Sequence, residues 1–398
     1  MRETESANGF GAASFACFYE AWLRGDVPRT TPWRLGMANP PSTYPGGSKS
    51  RVTRAGAAVR GGTATADDMA VIDYWRAAHR PVLNAFNVLL RNRVKNLPDV
   101  KVGIRHKRKR TIFNKLQRFN DMQLARMDDI AGCRVIFQTM EDMYAFRAKL
   151  HAATFNHRLR NEVDKYDYIK APKNTGYRGV HDIYEYDAKP NSRGVSTSGS
   201  KGLYLEIQYR TFVQHAWATA VEVIGNITRS QPKFQQGDER YERIMLLASE
   251  ILSRHHEKIS SYLVGMTNAE IIKEFIDLDE ELGLMQMLRG INTIETDITA
   301  KRNVILIFGE ELEVKSYRYA TEAISALFKL EKENPDKDIV LVRADTAEEV
   351  RTTFRNYFSD ARAFVELIEE GCKHLAEHTI EFSPEVIDGF FENAAADK

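Results

Sequence analysis

Four short stretches of this chain combine residue types that could do phosphate chemistry. The first, residues 101–118 (KVGIRHKRKRTIFNKLQR), holds eight Lys and Arg side chains and no acid, a density that must be relieved by a polyanion or by water. A basic helix reads at RTIFNKLQRF (110–119); on a helix Lys107, Thr111 and Lys115 fall on one face, and a hydroxyl between two ammonium groups suits a polyphosphate. A solvated basic helix or a nucleic-acid patch is the plain alternative. The second, Asp128-Asp129-Ile130-Ala131-Gly132-Cys133-Arg134, sets a carboxylate at the mouth of a short strand. Mg2+ takes one or two carboxylates plus substrate phosphates, although Asp before Gly also serves ordinary turns. In the third, Lys173-Asn174-Thr175-Gly176-Tyr177-Arg178-Gly179-Val180-His181, two glycines permit a tight loop, Tyr177 offers a face to a base, and Lys173 and Arg178 add positive charge. His181-Asp182 also spells the HD dipeptide of metal-dependent phosphohydrolases, which is weak evidence without further ligands. In the fourth, LYLEIQYRT (203–211), strict alternation turns Glu206, Gln208 and Arg210 to one face of a strand. Three polar groups there are costly to bury without a ligand or metal.

The elements that must position these residues are readable in outline. Residues 66–96 carry apolar side chains near a 3.6 spacing, interrupted by Pro81. CRVIF (133–137), HDIYEY (181–186) and 203–211 read as strands, and helices dominate 212–262. A third unit starts near Asn303 with a strand (NVILIF), a helix over about 318–333, a second strand (DIVLVRA) and a helix over about 346–367. Residues 1–65, rich in Gly, Pro, Ser, Thr and Arg, read as a flexible arm within which Met37 is an alternative start. The expected organisation is therefore an arm at 1–65, a central unit at 66–265 and an acidic α/β unit at 266–398. A polar insertion at 191–202 separates two of the strands.

Composition narrows the function classes. The 398 residues carry a formal charge of +1, but residues 267–398 hold 29 acidic against 15 basic side chains, so the remainder is at +15. That asymmetry suggests a polyanionic ligand for the first part, and solvation, partner binding or masking for the second. No apolar run is long enough for a membrane span, and no secretory leader is visible. Cys17, Cys133 and Cys372 stand too far apart for a zinc module and suit a reducing cytoplasm.

Taken in order, the four blocks resemble the synthetase domain of the RelA/SpoT family, the enzymes that make guanosine tetra- and pentaphosphate. The resemblance runs from about Ala85 to Asn226. Its blocks are matched by Arg105, Lys107, Thr111 (in place of Ser), Ile112, Lys115 and Leu116; by Asp129, Ile130, Ala131, Gly132 and Arg134; by Asp167, Tyr168, Ile169, Lys173, Gly176, Tyr177, Arg178 and His181; and by Glu206, Ile207, Gln208, Arg210 and Thr211, with His215, Trp217, Glu222 and Asn226 beyond. It implies an α/β (α+β) fold with a mixed, nucleotidyltransferase-like sheet flanked by helices. It also implies transfer of the β,γ-pyrophosphate of ATP to the ribose 3′-hydroxyl of GDP or GTP.

By that resemblance Asp129 and Glu206 are catalytic and hold Mg2+, with Glu206 assisting the metal or acting as general base. Arg105 and Arg134 embrace adenine, and Lys107, Thr111 and Lys115 hold the ATP phosphates. Lys173, Tyr177, Arg178, His181, Gln208, Glu222 and Asn226 line the acceptor side, with Tyr177 stacking on its base. Tyr166, where the family often has a basic residue, leaves acceptor preference open, and no HD hydrolase domain precedes the synthetase blocks. A toxin-type relative that modifies the 3′ end of tRNA or an adenine nucleotide, restrained by its C-terminal unit, is the alternative; a non-catalytic nucleotide-binding module is the third. A homo-oligomer is left open.

Overall fold

Alternation in 203–211 and the apolar run at 133–137 produce two neighbouring strands around which everything else is arranged. The computed structural model of the protein describes residues 44–187, 198–228, 237–290, 303–308, 312–334, 337–343 and 361–376. In chain order the helices and strands that matter are α1 (Lys49–Arg60), α2 (Ala66–Ala77), α3 (Arg80–Val94), β1 (Lys101–His106), α4 (Lys109–Arg118), β2 (Ala131–Phe137), α5 (Met140–His151), β3 (Arg158–Leu159), β4 (Val180–Glu185), β5 (Tyr204–Thr211), α6 (Phe212–Ile227), α7 (Glu239–His256), α8 (Asn268–Leu282) and α9 (Leu284–Gly290). They continue with β6 (Asn303–Phe308), β7 (Leu312–Tyr317), α10 (Ala320–Glu333), β8 (Asp338–Arg343) and α11 (Arg362–Ala376). Met37, Cys17, most of the 191–202 insertion and residues 346–360 of an expected helix lie outside the described residues.

The sheet order is β3-β4-β5-β2-β1-β8-β6-β7. It is mixed, because β2 and β5 run parallel while their neighbours are antiparallel. Val102, Ile104, Cys133, Val135, Ile207 and Tyr209 face the main core, on which α3 packs. Among the described residues no helix is long and apolar enough to cross a membrane.

Three expectations need correction. Residues 49–60, read as part of a flexible arm, form a helix. Ser48 caps it by accepting from the Arg51 N–H, and Val52, Ala55 and Val59 are buried. Its apolar stripe is made of small residues, which composition alone does not distinguish from loop. Gly56 on this stripe is required by contact, since a Cβ there would stand 2.6 Å from Leu124 Cβ. Gly56→Ala is accordingly expected to destabilise by roughly 1–3 kcal/mol in urea titration, the ordinary cost of overpacking.

The second correction concerns Arg105 and Lys107, set on a helix with Thr111 and Lys115: the helix expected at 110–119 is present but does not reach back to them. Residues 101–106 form β1, paired with β2 from Lys101↔Ile136 to His106↔Ala131, and only Lys109–Arg118 is helical. Lys107 lies at the junction, where its N–H donates to Ile130 O at 2.9 Å. The basic side chains conceal the alternation of Val102 and Ile104.

The third concerns the C-terminal unit, read with two strands. A third, β7, forms an antiparallel ladder with β6. Its charged sequence, LEVKSY, suits an edge strand. This unit has its own apolar cluster, in which Ile305, Ile307, Ile339 and Leu341 meet Ile324 and Leu327 of α10. It does not have its own sheet: β8 pairs with β1 at Ile104↔Arg343 and Arg105↔Val342.

Candidate active site

The register of four strands assembles the site. Glu206 pairs with Gly132 and Gln208 with Arg134 across β5 and β2; Arg105 on β1 pairs with Gly132; His181 on β4 pairs with Gln208. Directly paired residues project to the same side, so Arg105, Arg134, Glu206, Gln208 and His181 share one face. Gly132 puts no side chain between Arg105 and Glu206, and this leaves the floor of that face open.

Asp129, three residues before Gly132, receives two ammonium groups. Lys107 Nζ donates to Oδ2 at 2.5 Å and Lys115 Nζ to Oδ1 at 3.2 Å. Burial pushes the Lys107 ammonium down to about 8 despite Asp129 beside it. For Asp129 burial acts upward, but the two lysines outweigh it and hold the carboxyl below its ordinary value. Thr111 and Lys115 lie one turn apart on α4, whose inner face is Ile112 and Leu116. The residues expected at the donor phosphates are therefore carried by a strand end and a helix rather than by one helix face.

Glu206 is held by His181 Nδ1 at 2.8 Å and by the Gln208 side-chain amide, which donates at 2.7 Å. Burial would raise its pKa, yet His181 and Gln208 together keep it well below the usual carboxylate range. His181 Nε2 lies 2.5 Å from the Tyr177 hydroxyl, to which Arg210 also donates at 2.9 Å. Burial works against charge on His181, but Tyr177 and Glu206 overcome it and lift the imidazole to about 9. Burial alone would raise the Tyr177 phenol; Arg210 and His181 bring it down to about 7.

The residues expected on the acceptor side separate into two groups. Lys173 sits over the Tyr168 ring at 3.9 Å, and Tyr177 packs edge-on against Tyr168 and Trp217. Gly176, at φ +80, lets this loop press against α7: a Cβ would lie 3.0 to 3.1 Å from Ser249, Leu246 and Trp217. Arg178 is not with this group. It is buried, and its guanidinium pairs with Glu257, which also accepts from the Gln214 amide at 2.6 Å. Glu222 is half-buried on α6, and the Asn226 side chain lies outside the described residues. Sequence reasoning missed Glu257, which follows α7 and has no motif around it. The contact of Arg210 with Tyr177 was also missed, because it skips from β5 to the loop before β4.

The family model described as the region found in RelA / SpoT proteins matches residues 104–224. Residues 104–224 thus match the region found in RelA / SpoT proteins. That span contains Asp129, Glu206, His181 and both lysines on Asp129, and leaves Glu257 outside. A curated relative, GTP pyrophosphokinase YjbM of Bacillus subtilis (strain 168), is 29% identical over 146 residues, which are 35% of this chain and 64% of that protein. The chain thus spans just under two thirds of that relative's length. Among solved structures, small alarmone synthetase 1 from Bacillus subtilis is similar at 26% identity and TM-score 0.38, covering 46% of this chain and 90% of that one. Small alarmone synthetase 2 from the same organism gives 24% identity and TM-score 0.38, with 46% and 92% covered.

Within the RelA/SpoT segment the HD dipeptide has no metal-site geometry. His181 faces Glu206, while Asp182, on the other side of β4, is held by Arg147 at 2.8 and 3.0 Å and by His151 at 2.7 Å. The His181 titration provides a direct test of the Glu206 arrangement. A raised imidazole contributes stability that is complete below its ordinary 6.5 and is lost as pH rises through about 9. Tyr177, with a lowered pKa, contributes in the opposite sense above about 7, so the clean readout is the ring itself. Nitrogen chemical shifts of His181 should report an imidazolium at pH 7.5 in the native protein. In Glu206→Gln, where the anionic partner is gone, the midpoint should move toward 6.5; an unmoved midpoint would mean that Glu206 does not hold the ring.

Proposed function

We propose that this protein transfers the β,γ-pyrophosphate of ATP to the ribose 3′-hydroxyl of GDP or GTP. One observation carries the reading: adjacent parallel strands β2 and β5 bring an Asp129 carboxylate gripped by two lysines beside a Glu206 carboxylate gripped by His181 and Gln208. The name of the curated relative supports the same reaction class.

The donor set fits a hard divalent cation such as Mg2+. Asp129 and Glu206 are oxygen donors close enough that Glu206 acts to raise the Asp129 pKa, and Asp128 beside them has a buried Oδ1 without a hydrogen-bond partner among the described residues. Asp129 and Glu206 would hold the ion, which when bound supplies charge neutralisation at the phosphates. Arg105 and Arg134 would take the adenine, and Lys107, Thr111 and Lys115 the donor phosphates, whose charge shifts as the bond to the departing AMP breaks. The acceptor oxygen forms the new bond to the β-phosphorus and gives up its proton. A carboxylate held as low as Glu206 is a weak proton acceptor, so its first role is to hold the cation and orient the 3′-hydroxyl. Tyr177, Lys173, His181 and Gln208 would line the acceptor side, together with Glu222.

Incubation with γ-labelled ATP, MgCl2 and, separately, GDP, GTP, AMP or total tRNA tests this. Label is expected in a guanosine product with one AMP released per transfer. Label on tRNA or on AMP would replace the acceptor and keep the chemistry, and no transfer to any acceptor would overturn the proposal.

A further inference from the structure

At the C-terminal end of α7, a second cluster of metal-ligating groups joins α7 to α11. His255 and His256 close α7, while Glu370 and His374 stand one turn apart on α11. His255 Nε2 is 3.3 Å from a Glu370 carboxylate oxygen, and donor atoms of His255, His256 and Glu370 all lie within 4.8 Å of one another. The His374 ring centre is 4.6 Å from that of His255. Three of the chain's ten histidines thus meet at one helix crossing.

The crossing is built for close approach. Gly371 faces α7 where a Cβ would be 2.8 Å from Ile251 Cγ2 and 3.7 Å from His255 Cβ, so the backbone of α11 is brought down beside the imidazoles. His255 is buried, and its Nδ1 has no hydrogen-bond partner among the described residues. His256 Nε2 is 3.5 Å from Leu367 O, at the outer limit of a hydrogen bond, and so is weakly held. Burial lowers the pKa of both rings, with Glu370 opposing; His374 adds to the fall at His255, His255 adds to it at His256, and Lys258 adds to both. Neutral imidazoles are the form that binds metal.

We propose that His255, His256 and Glu370, with His374 beside them, bind one Zn2+-class transition-metal ion. Two or three imidazoles and one carboxylate are a borderline-soft set, unlike the all-oxygen set at Asp129 and Glu206. The ion would pin α11 to α7 immediately before Glu257, the buried partner of Arg178 in the Gly176 loop, and so would tie the C-terminal helix to the acceptor side.

The test uses the full-length protein, stripped with chelator and titrated with ZnCl2 in a calorimeter, with thermal melts in parallel. One saturable equivalent per chain and a rise in melting temperature are expected. Glu370→Gln, at an exposed position that leaves the core intact, should weaken binding at least about tenfold, as should His374→Gln, since even outer-shell changes at metal sites cost 10–100-fold. Asp129→Asn should bind like the native chain. Absence of saturable binding, or binding unchanged in Glu370→Gln and His374→Gln, or binding lost only in Asp129→Asn, would each overturn the proposal.

Discussion

Glu206→Gln is expected to lower turnover by at least about 10²-fold while the protein stays folded. Gln keeps the shape and can still meet Gln208, so packing on β5 is preserved. What disappears is the negative charge, which in the proposed reaction holds the cation and orients the acceptor hydroxyl. Its loss also releases His181, 2.8 Å away, from an ion pair, and leaves that ring to Tyr177. Asp129→Asn should be as inactive but less stable. The Lys107 side chain is 7% exposed, and Asp129 is the anion that offsets its burial. Without that partner the lysine is a buried cation, at a cost on the order of 3 kcal/mol. Steady-state rates with GDP and GTP, paired with urea titrations of both variants, separate the two effects. Near-native turnover in Glu206→Gln would remove Glu206 from the mechanism, and equal stability of the two variants would mean that Lys107 does not depend on Asp129.

How far the sequence revealed this site follows from the range of each interaction. β5 was legible because its alternation is local and strong, and the family blocks on β2, β4 and β5 are short runs that retain their meaning when read alone. The helix at 110–119 was legible, but carrying it back to Arg105 and Lys107 failed, because Lys101, Arg105 and Lys107 obscure the alternation of Val102 and Ile104 where β2 and β8 impose strand pairing on β1. Arg178 looked like an acceptor ligand because a cation in a glycine loop ordinarily faces a phosphate. Its partner Glu257 lies 79 positions further on and is brought to it only when α7 returns against the loop. The acidic balance of 267–398 likewise indicated a surface property, yet one of its acids, Glu331, is at the interior junction with α2.

Loss of Glu331 should produce the largest change in stability of any single substitution at this junction. Arg76 has no exposed side-chain surface, and its two terminal nitrogens donate to Glu331 at 2.8 and 3.0 Å. The same guanidinium lies 5.1 Å from the Phe328 ring centre and donates at 3.2 Å to Lys107 O, while Arg76 O bonds His106 Nε2 at 2.8 Å. Breaking a buried pair of this kind costs about 3–5 kcal/mol, because the remaining charge stays buried. Asp73 also pairs with this guanidinium at 3.4 Å, but it is partly exposed and shared with Lys109 at 3.0 Å, so it offsets the loss only in part. Glu331→Ala should therefore lower the urea midpoint strongly, and Glu331→Gln, which retains one acceptor, should lie between it and the native protein. Because Lys107 is fixed through its carbonyl by Arg76 and through its Nζ by Asp129, folded Glu331→Gln is also expected to lose kcat at saturating ATP. A purely structural role predicts lost stability with an unchanged rate in the folded fraction, and Glu331→Ala within about 0.5 kcal/mol of the native chain would show that Arg76 is held without Glu331. Removing 267–398 altogether would delete Glu331 and uncover the β1 edge at once. A drop in activity in that truncation would therefore reflect a damaged donor strand, and only the point variants can separate support of Lys107 from masking of the basic face.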